Sequence, residues 1–223
     1  MQIAIGLYPG FTALDAVGPY AVLKQLPGAE IVLCAEHAGV IDDDSGHLRL
    51  QVEKTFADVP APELLLVPGG MVTRRIARER GAIVGWIAAA HATTRYTTSV
   101  CTGALLLGAA GILDGLDATT HWGAYQELAR YGARPTEQRV VVQGKVITAA
   151  GVSAGIDLAL TLAAMLQGDE VAQAIQLGIE YDPQPPFDSG SPAKAPAHIR
   201  ELVSALMSAS ESTTRHIGPP APV

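Results

Sequence analysis

The sequence predicts an α/β fold, a mostly parallel sheet covered by helices on both faces. Two observations carry this. Short apolar runs alternate with stretches of helical period along most of the chain, as repeated βα units require. The composition also supports a large core, with 48% hydrophobic and 17% charged residues in 223. Ile3–Leu7 reads as a buried strand, Tyr8-Pro9-Gly10 as a turn and Ala13–Gln25 as a helix. Ala29–Cys34 is the next strand, and Leu48–Val52 is short and alternating. Leu64–Val67 is a compact apolar strand stopped by Pro68-Gly69-Gly70. A helix from Ile83 to Ala92 leads to Tyr96–Val100, a strand rich in β-branched residues. Thr102–Ala110 and His121–Tyr131 read as helices, and Arg139–Val142 with Val146–Thr148 as a strand pair. Ser153–Leu166 is apolar almost all round and is expected to be a buried helix, followed by another at Glu170–Leu177. Five prolines in Asp182–Pro196 exclude regular structure there, and Ala197–Ser210 looks helical. The expected organisation is one α/β domain over residues 1–212, then a flexible tail at 213–223, with no internal repeat.

Charge and cysteine usage narrow the function classes. A formal charge of −7 argues against a broad basic groove, so no nucleic-acid partner is expected. The longest apolar stretches, Gly103–Leu113 and Leu158–Leu166, fall short of the roughly 18 residues of a membrane span. The chain opens without a basic leader, and its two cysteines, Cys34 and Cys101, suit a reducing compartment. A cytoplasmic protein with no membrane partner is therefore expected. The histidines have no ligand spacing, so no metal is expected. Neither a phosphate loop nor Gly-x-Gly-x-x-Gly follows a strand, so no cofactor is expected.

In open α/β sheets, ligands bind beyond the carboxyl ends of the strands, and three such ends carry unusual residues. Ser99-Val100-Cys101-Thr102-Gly103 passes directly from strand to helix. Such a turn lifts a nucleophile above the sheet edge, and a helix N-terminus there favours thiolate and lowers the thiol pKa. A buried core thiol is the plainer alternative for Cys101. Cys34 closes a strand with no helix signal after it and reads as core. Gly69 and Gly70 can turn backbone N–H groups inward as an oxyanion-type site, or simply make a tight turn. Asp15, among Leu14, Ala16 and Val17, is either a solvated helix-start carboxylate or an acid for proton transfer to a neighbouring thiol. His121 could serve as a base near Cys101, or it could cap its helix with Trp122 as packing. Asp42-Asp43-Asp44 reads as a solvated turn. Arg74-Arg75 and Arg78-Glu79-Arg80 read as an exposed helix face, although Arg74 and Arg75 follow the glycine loop closely enough to reach a site.

The set Asp15-Ala16-Val17-Gly18-Pro19, Pro68-Gly69-Gly70, Ser99-Val100-Cys101-Thr102-Gly103 and Ala118-Thr119-Thr120-His121-Trp122 resembles the ThiJ/PfpI superfamily. Gly151-Val152-Ser153-Ala154-Gly155-Ile156-Asp157 and Pro185–Pro192 extend the resemblance to about residue 200. It implies a flavodoxin-like sandwich, usually a homodimer, with Cys101 as nucleophile and Asp15 as the acid beside it. Thr102 is implied to line the site and Gly70 to be a backbone donor opposite the thiol. Many members carry glutamate at the first-helix position, and aspartate is the choice of the isonitrile-hydrating branch. That branch implies conversion of an isonitrile and water to a formamide through a Cys101 thioimidate. Met71-Val72-Thr73-Arg74-Arg75 departs from the small loop expected after the glycines. A glyoxalase or deglycase acting on α-oxoaldehydes shares the same nucleophile, and a protease or amidotransferase would need a histidine on the thiol. A ligand- or redox-sensing relative of AraC-linked domains is the non-enzymatic alternative, although too few residues follow Ser210 for DNA-binding helices.

Overall fold

The computed structural model describes residues 1–214. The chain divides into two compact units, Met1–Tyr181 and a second from Asp182, with the boundary where the proline-rich stretch begins. The first unit is built on a seven-stranded sheet with helices on both faces. Its elements in chain order are β1 (Gln2–Gly6), α1 (Ala13–Leu23), β2 (Glu30–Ala35), β3 (Gly39–Asp42), β4 (Arg49–Val52), β5 (Lys54–Thr55) and β6 (Leu64–Val67). There follow α2 (Thr73–Glu79), α3 (Ala82–His91), β7 (Tyr96–Val100), α4 (Gly103–Ala109), β8 (Asp117–Ala118) and α5 (Tyr125–Ala129). The unit closes with β9 (Arg134–Pro135), β10 (Val140–Gln143), β11 (Val146–Ala149), α6 (Ala154–Gln167) and α7 (Asp169–Gly178). In the second unit, α8 spans Ala197–Thr214. The expected tail lies outside the described residues from position 215 onward.

The sheet order is β10-β11-β7-β6-β1-β2-β5, parallel throughout except for the antiparallel β10–β11 pair. β1 and β6 are buried along both faces because helices cover them on each side, which is why they read as continuous apolar runs. β7 is buried too, yet holds Thr97, Thr98 and Ser99; the Thr98 hydroxyl donates to Leu65 O at 2.9 Å. The order reverses between β1 and β6, which opens a crevice at their carboxyl ends, flanked by β7.

Several short elements escaped the sequence reading, namely β3, β5, β8 and β9, each too short to show a period. α6 differs from expectation. One face, with Ala154, Leu158, Ala159 and Leu162, is buried, while Ile156 and Leu160 are half-buried and Met165 is exposed. It is an outer-layer helix packed on α1, α7 and the sheet, so only one side can reach the core. The Asp42–Asp44 segment is also not a plain solvated turn. Asp43 is buried and accepts hydrogen bonds from Ser45, His47 and Leu48. These hold its carboxyl below the usual range although desolvation opposes them.

Candidate active site

Cys101 sits on a sharp turn between β7 and α4 with φ 57°, a left-handed conformation that strains any residue bearing a Cβ. Neighbouring groups enforce it. Its N–H donates to Ala149 O (3.1 Å) and Ala150 O (2.9 Å), and its carbonyl accepts from the Thr120 hydroxyl at 2.9 Å. Gly103 must be glycine, since a Cβ there would collide with the Val67 and Pro68 carbonyls. A second strained residue faces the sulfur. Val152 has φ 23°, and its N–H donates to the Cys101 thiol, as does that of Thr102.

The acid comes from α1. Asp15 is fully buried, and its Oδ2 accepts from Gly69 N–H at 2.8 Å. Oδ1 has no conventional partner, and the Cys101 thiol acts on the carboxyl as a hydrogen-bond partner. Burial pushes Asp15 up to about 7 and Asp44 adds to this, against the Gly69 N–H and the thiol. Burial first, then the Asp15 charge, push Cys101 up to about 12 despite the Val152 and Thr102 donors. Thiol and carboxyl therefore titrate as a pair that holds two protons below about pH 7 and one above it, where the carboxylate faces the thiol. This corrects the expected lowering of the thiol pKa. Desolvation and a facing carboxylate outweigh the few amides of the seven-residue α4.

The two loop glycines are close to both groups, but their N–H groups are already engaged. Gly69 N–H holds Asp15, and Gly70 N–H donates to Thr102 Oγ1 at 3.0 Å. The expected free oxyanion donors thus take another form: the loop fixes the acid and Thr102, while the Val152 and Thr102 amides face the sulfur. A Cβ on Gly69 would lie 2.7 Å from both Asp15 Oδ2 and Thr102 N, and one on Gly70 would lie 2.5 Å from Gly10 O.

His121 does not lie on the thiol. It caps the 3₁₀ turn Trp122–Ala124, its Nδ1 accepting from Gly123 N–H at 3.2 Å, and its ring packs where a Gly151 Cβ would be. Burial and the nearby Arg74 hold it below its usual pKa, hence neutral. Arg74 reaches Glu127 (3.0 Å) and Gly123 O (3.1 Å) from α2. Cys34 is core, as expected: its sulfur lies 3.8 Å from Ile5 O and burial pushes it up to about 12. Sequence reasoning missed Tyr8, Asp44 and the role of Val152. Tyr8 lies two residues beyond β1, near enough to its carboxyl end for the strand-end rule to apply, whereas Asp44 reads in sequence only as part of a solvated turn. Among the described residues, no group of three or more His, Cys, Asp or Glu converges as a metal cluster, and no helix is long and apolar enough to cross a membrane.

An elbow cysteine paired with a first-helix carboxylate across a parallel sheet defines a class of protein, and the DJ-1/PfpI family profile matches residues 1–165, so the chain belongs to the DJ-1/PfpI family. Within that family it is 43% identical to isonitrile hydratase of Pseudomonas putida over 199 residues, 89% of this chain and 86% of that protein. It is also 30% identical to the HTH-type transcriptional regulator GbdR of Pseudomonas aeruginosa over 192 residues, but spans only 51% of that protein. The crystal structure of a ThiJ/PfpI family protein from Pseudomonas syringae superimposes with a TM-score of 0.90 at 40% identity, covering 95% of this chain and 87% of that one. The flavodoxin-like fold expected from the motifs is the fold found.

Proposed function

We propose that the protein hydrates an isonitrile to an N-substituted formamide, with Cys101 as nucleophile and Asp15 as proton carrier. The buried thiol–carboxyl pair carries this reading, supported by the similarity to isonitrile hydratase. The terminal carbon of an isonitrile is a weak base and, once protonated, an electrophile. It therefore needs a proton and a soft nucleophile delivered to one atom. Asp15 takes the proton from the Cys101 sulfur and passes it to that carbon as the sulfur attacks. The C–S bond forms, one C–N π bond becomes the nitrogen lone pair, and a thioimidate results with Asp15 again a carboxylate. Water adds to the same carbon as Asp15 takes one of its protons, and Asp15 passes that proton to the nitrogen, becoming a carboxylate again. Collapse of the adduct breaks the C–S bond, and the hydroxyl proton returns through Asp15 to the sulfur. Substrate plus water thus balance product, with the thiol regenerated.

The Val152 and Thr102 amides support charge on the sulfur as it leaves and re-forms. Thr102 also joins the elbow to the glycine loop through Gly70. In this reading Gly69 and Gly70 shape the site, and His121 lines its edge as a neutral side chain. A cytoplasmic homodimer acting on a small molecule, with no nucleic-acid or membrane partner and no cofactor, completes the proposal.

Mixing the protein with a simple alkyl isonitrile and following intact mass tests the route. A transient mass increase on Cys101 and release of the formamide are expected, with neither in Cys101→Ala. Full hydration by Cys101→Ala would exclude the covalent path. Lactate formation from methylglyoxal without isonitrile hydration would select the α-oxoaldehyde reaction instead.

A further inference from the structure

Pro68 O and Gly69 N belong to one planar trans peptide, so their hydrogen bonds act on the two ends of a single dipole. At the carbonyl end, the Tyr8 hydroxyl donates to Pro68 O at 2.6 Å. At the amide end, Gly69 N–H donates to Asp15 Oδ2 at 2.8 Å. Tyr8 and Asp15 are both buried, so water does not screen the chain of groups between them. Gly69 N–H is also the single conventional hydrogen bond to the carboxylate among the described residues.

We infer that Tyr8 is a positioning residue whose hydroxyl orients and polarises the Pro68–Gly69 peptide, so that the same peptide's N–H holds Asp15 in the carboxylate form able to accept the thiol proton. The inference rests on the role proposed above for Asp15. Hydrogen bonds in series strengthen one another, so a donor on the carbonyl makes the amide a better donor to the acid. Tyr8 keeps its proton throughout, because burial and the nearby Asp15, Cys101 and Asp44 all oppose its ionisation. The titratable groups acting on Asp15 are Cys101 from the β7–α4 elbow, Asp44 from the β3–β4 loop and Tyr8 itself. Asp44 raises the Asp15 pKa, and the relay from Tyr8 opposes that effect.

The test is a ¹³C NMR titration of carboxyl-labelled aspartate, with the Asp15 signal assigned by its absence in Asp15→Asn. Tyr8→Phe keeps the ring and removes the donor. It should lower the Asp15 ionisation constant roughly two- to threefold, a pKa increase of roughly 0.3–0.5. Site-specific 3-fluorotyrosine at position 8, a stronger donor of nearly the same shape, should move it the opposite way. Opposite shifts support the relay, because a merely structural role would not change sign with donor strength. An unmoved titration in both proteins, or shifts of the same sign, overturns it; if Tyr8→Phe does not fold, the fluorinated protein decides alone. No substrate is involved, so failure of the isonitrile reading shows separately as absence of formamide from the wild type.

Discussion

Asp15→Asn should stabilise the protein at pH 8 while removing its activity. The carboxyl rises from an ordinary 3.8 to about 7 on folding. Between these values the folded state binds a proton that the unfolded chain has lost, so stability falls as pH rises through this window. Below pH 4 both states are protonated and the effect vanishes; above pH 7 it is constant. At about 1.36 kcal/mol per pKa step the full penalty is about 4 kcal/mol, of which about 2.5 kcal/mol develops between pH 5 and 8. Asparagine bears no charge and retains an oxygen for Gly69 N–H. The histidine contributions are common to both proteins and cancel in the comparison. With a urea dependence of about 2.5 kcal/mol per molar, the unfolding midpoint of the variant should rise by about 1 M relative to wild type on going from pH 5 to 8. Midpoints that stay parallel across this range would show that folding does not raise the Asp15 pKa toward neutrality, and the match between its proton affinity and its carrier role would be lost.

Gly69→Ala should lower kcat/KM at least about a hundredfold, because its Cβ would displace either Asp15 or the Thr102 amide, each 2.7 Å away, and misplacement on the ångström scale has that effect. Steady-state kinetics with an alkyl isonitrile reads it; an unimpaired variant would mean the loop yields freely. Thr120→Val removes the donor to the Cys101 carbonyl at nearly constant volume. It should cost about 1–3 kcal/mol, with Tm falling about 2–4 °C per kcal/mol in calorimetry, and slow alkylation of Cys101 as the strained turn relaxes.

Most of the sheet was legible because its strands are short apolar blocks ended by turns. β1, β6 and β7 follow Ile3–Leu7, Leu64–Val67 and Tyr96–Val100 within a residue at each end. The elements that were not legible, such as β5 and β8 with two residues each, have no period and form only because a neighbouring chain segment offers hydrogen bonds. In the site, Cys101, Asp15, Gly69, Gly70 and Thr102 could be placed together, because the strand-end rule and the motif order both point to one sheet edge. The protonation of the pair could not be read, since it depends on burial of side chains that meet only in three dimensions. A helix N-terminus is visible in sequence, whereas the burial that overrides it, with the Asp15 charge adding to it, is not. Nor could the sequence show that Gly70 N–H is engaged by Thr102, 32 positions away.

The contact between α1 and α6 is set by missing side chains. A Cβ on Gly155 would lie 3.0 Å from Pro19 Cγ and 3.1 Å from Val100 Cγ2, and one on Gly18 would lie 3.2 Å from Ile156 Cγ1. One helix carries the carboxylate, and the turn leading into the other carries the Val152 amide, so these two glycines act as a calliper on the sulfur. A single added methyl would open its jaws by tenths of an ångström, and close packing leaves nowhere else for that movement to go. Drift at two silent, solvent-hidden positions would therefore register first as a change in reaction rate, before any loss of shape.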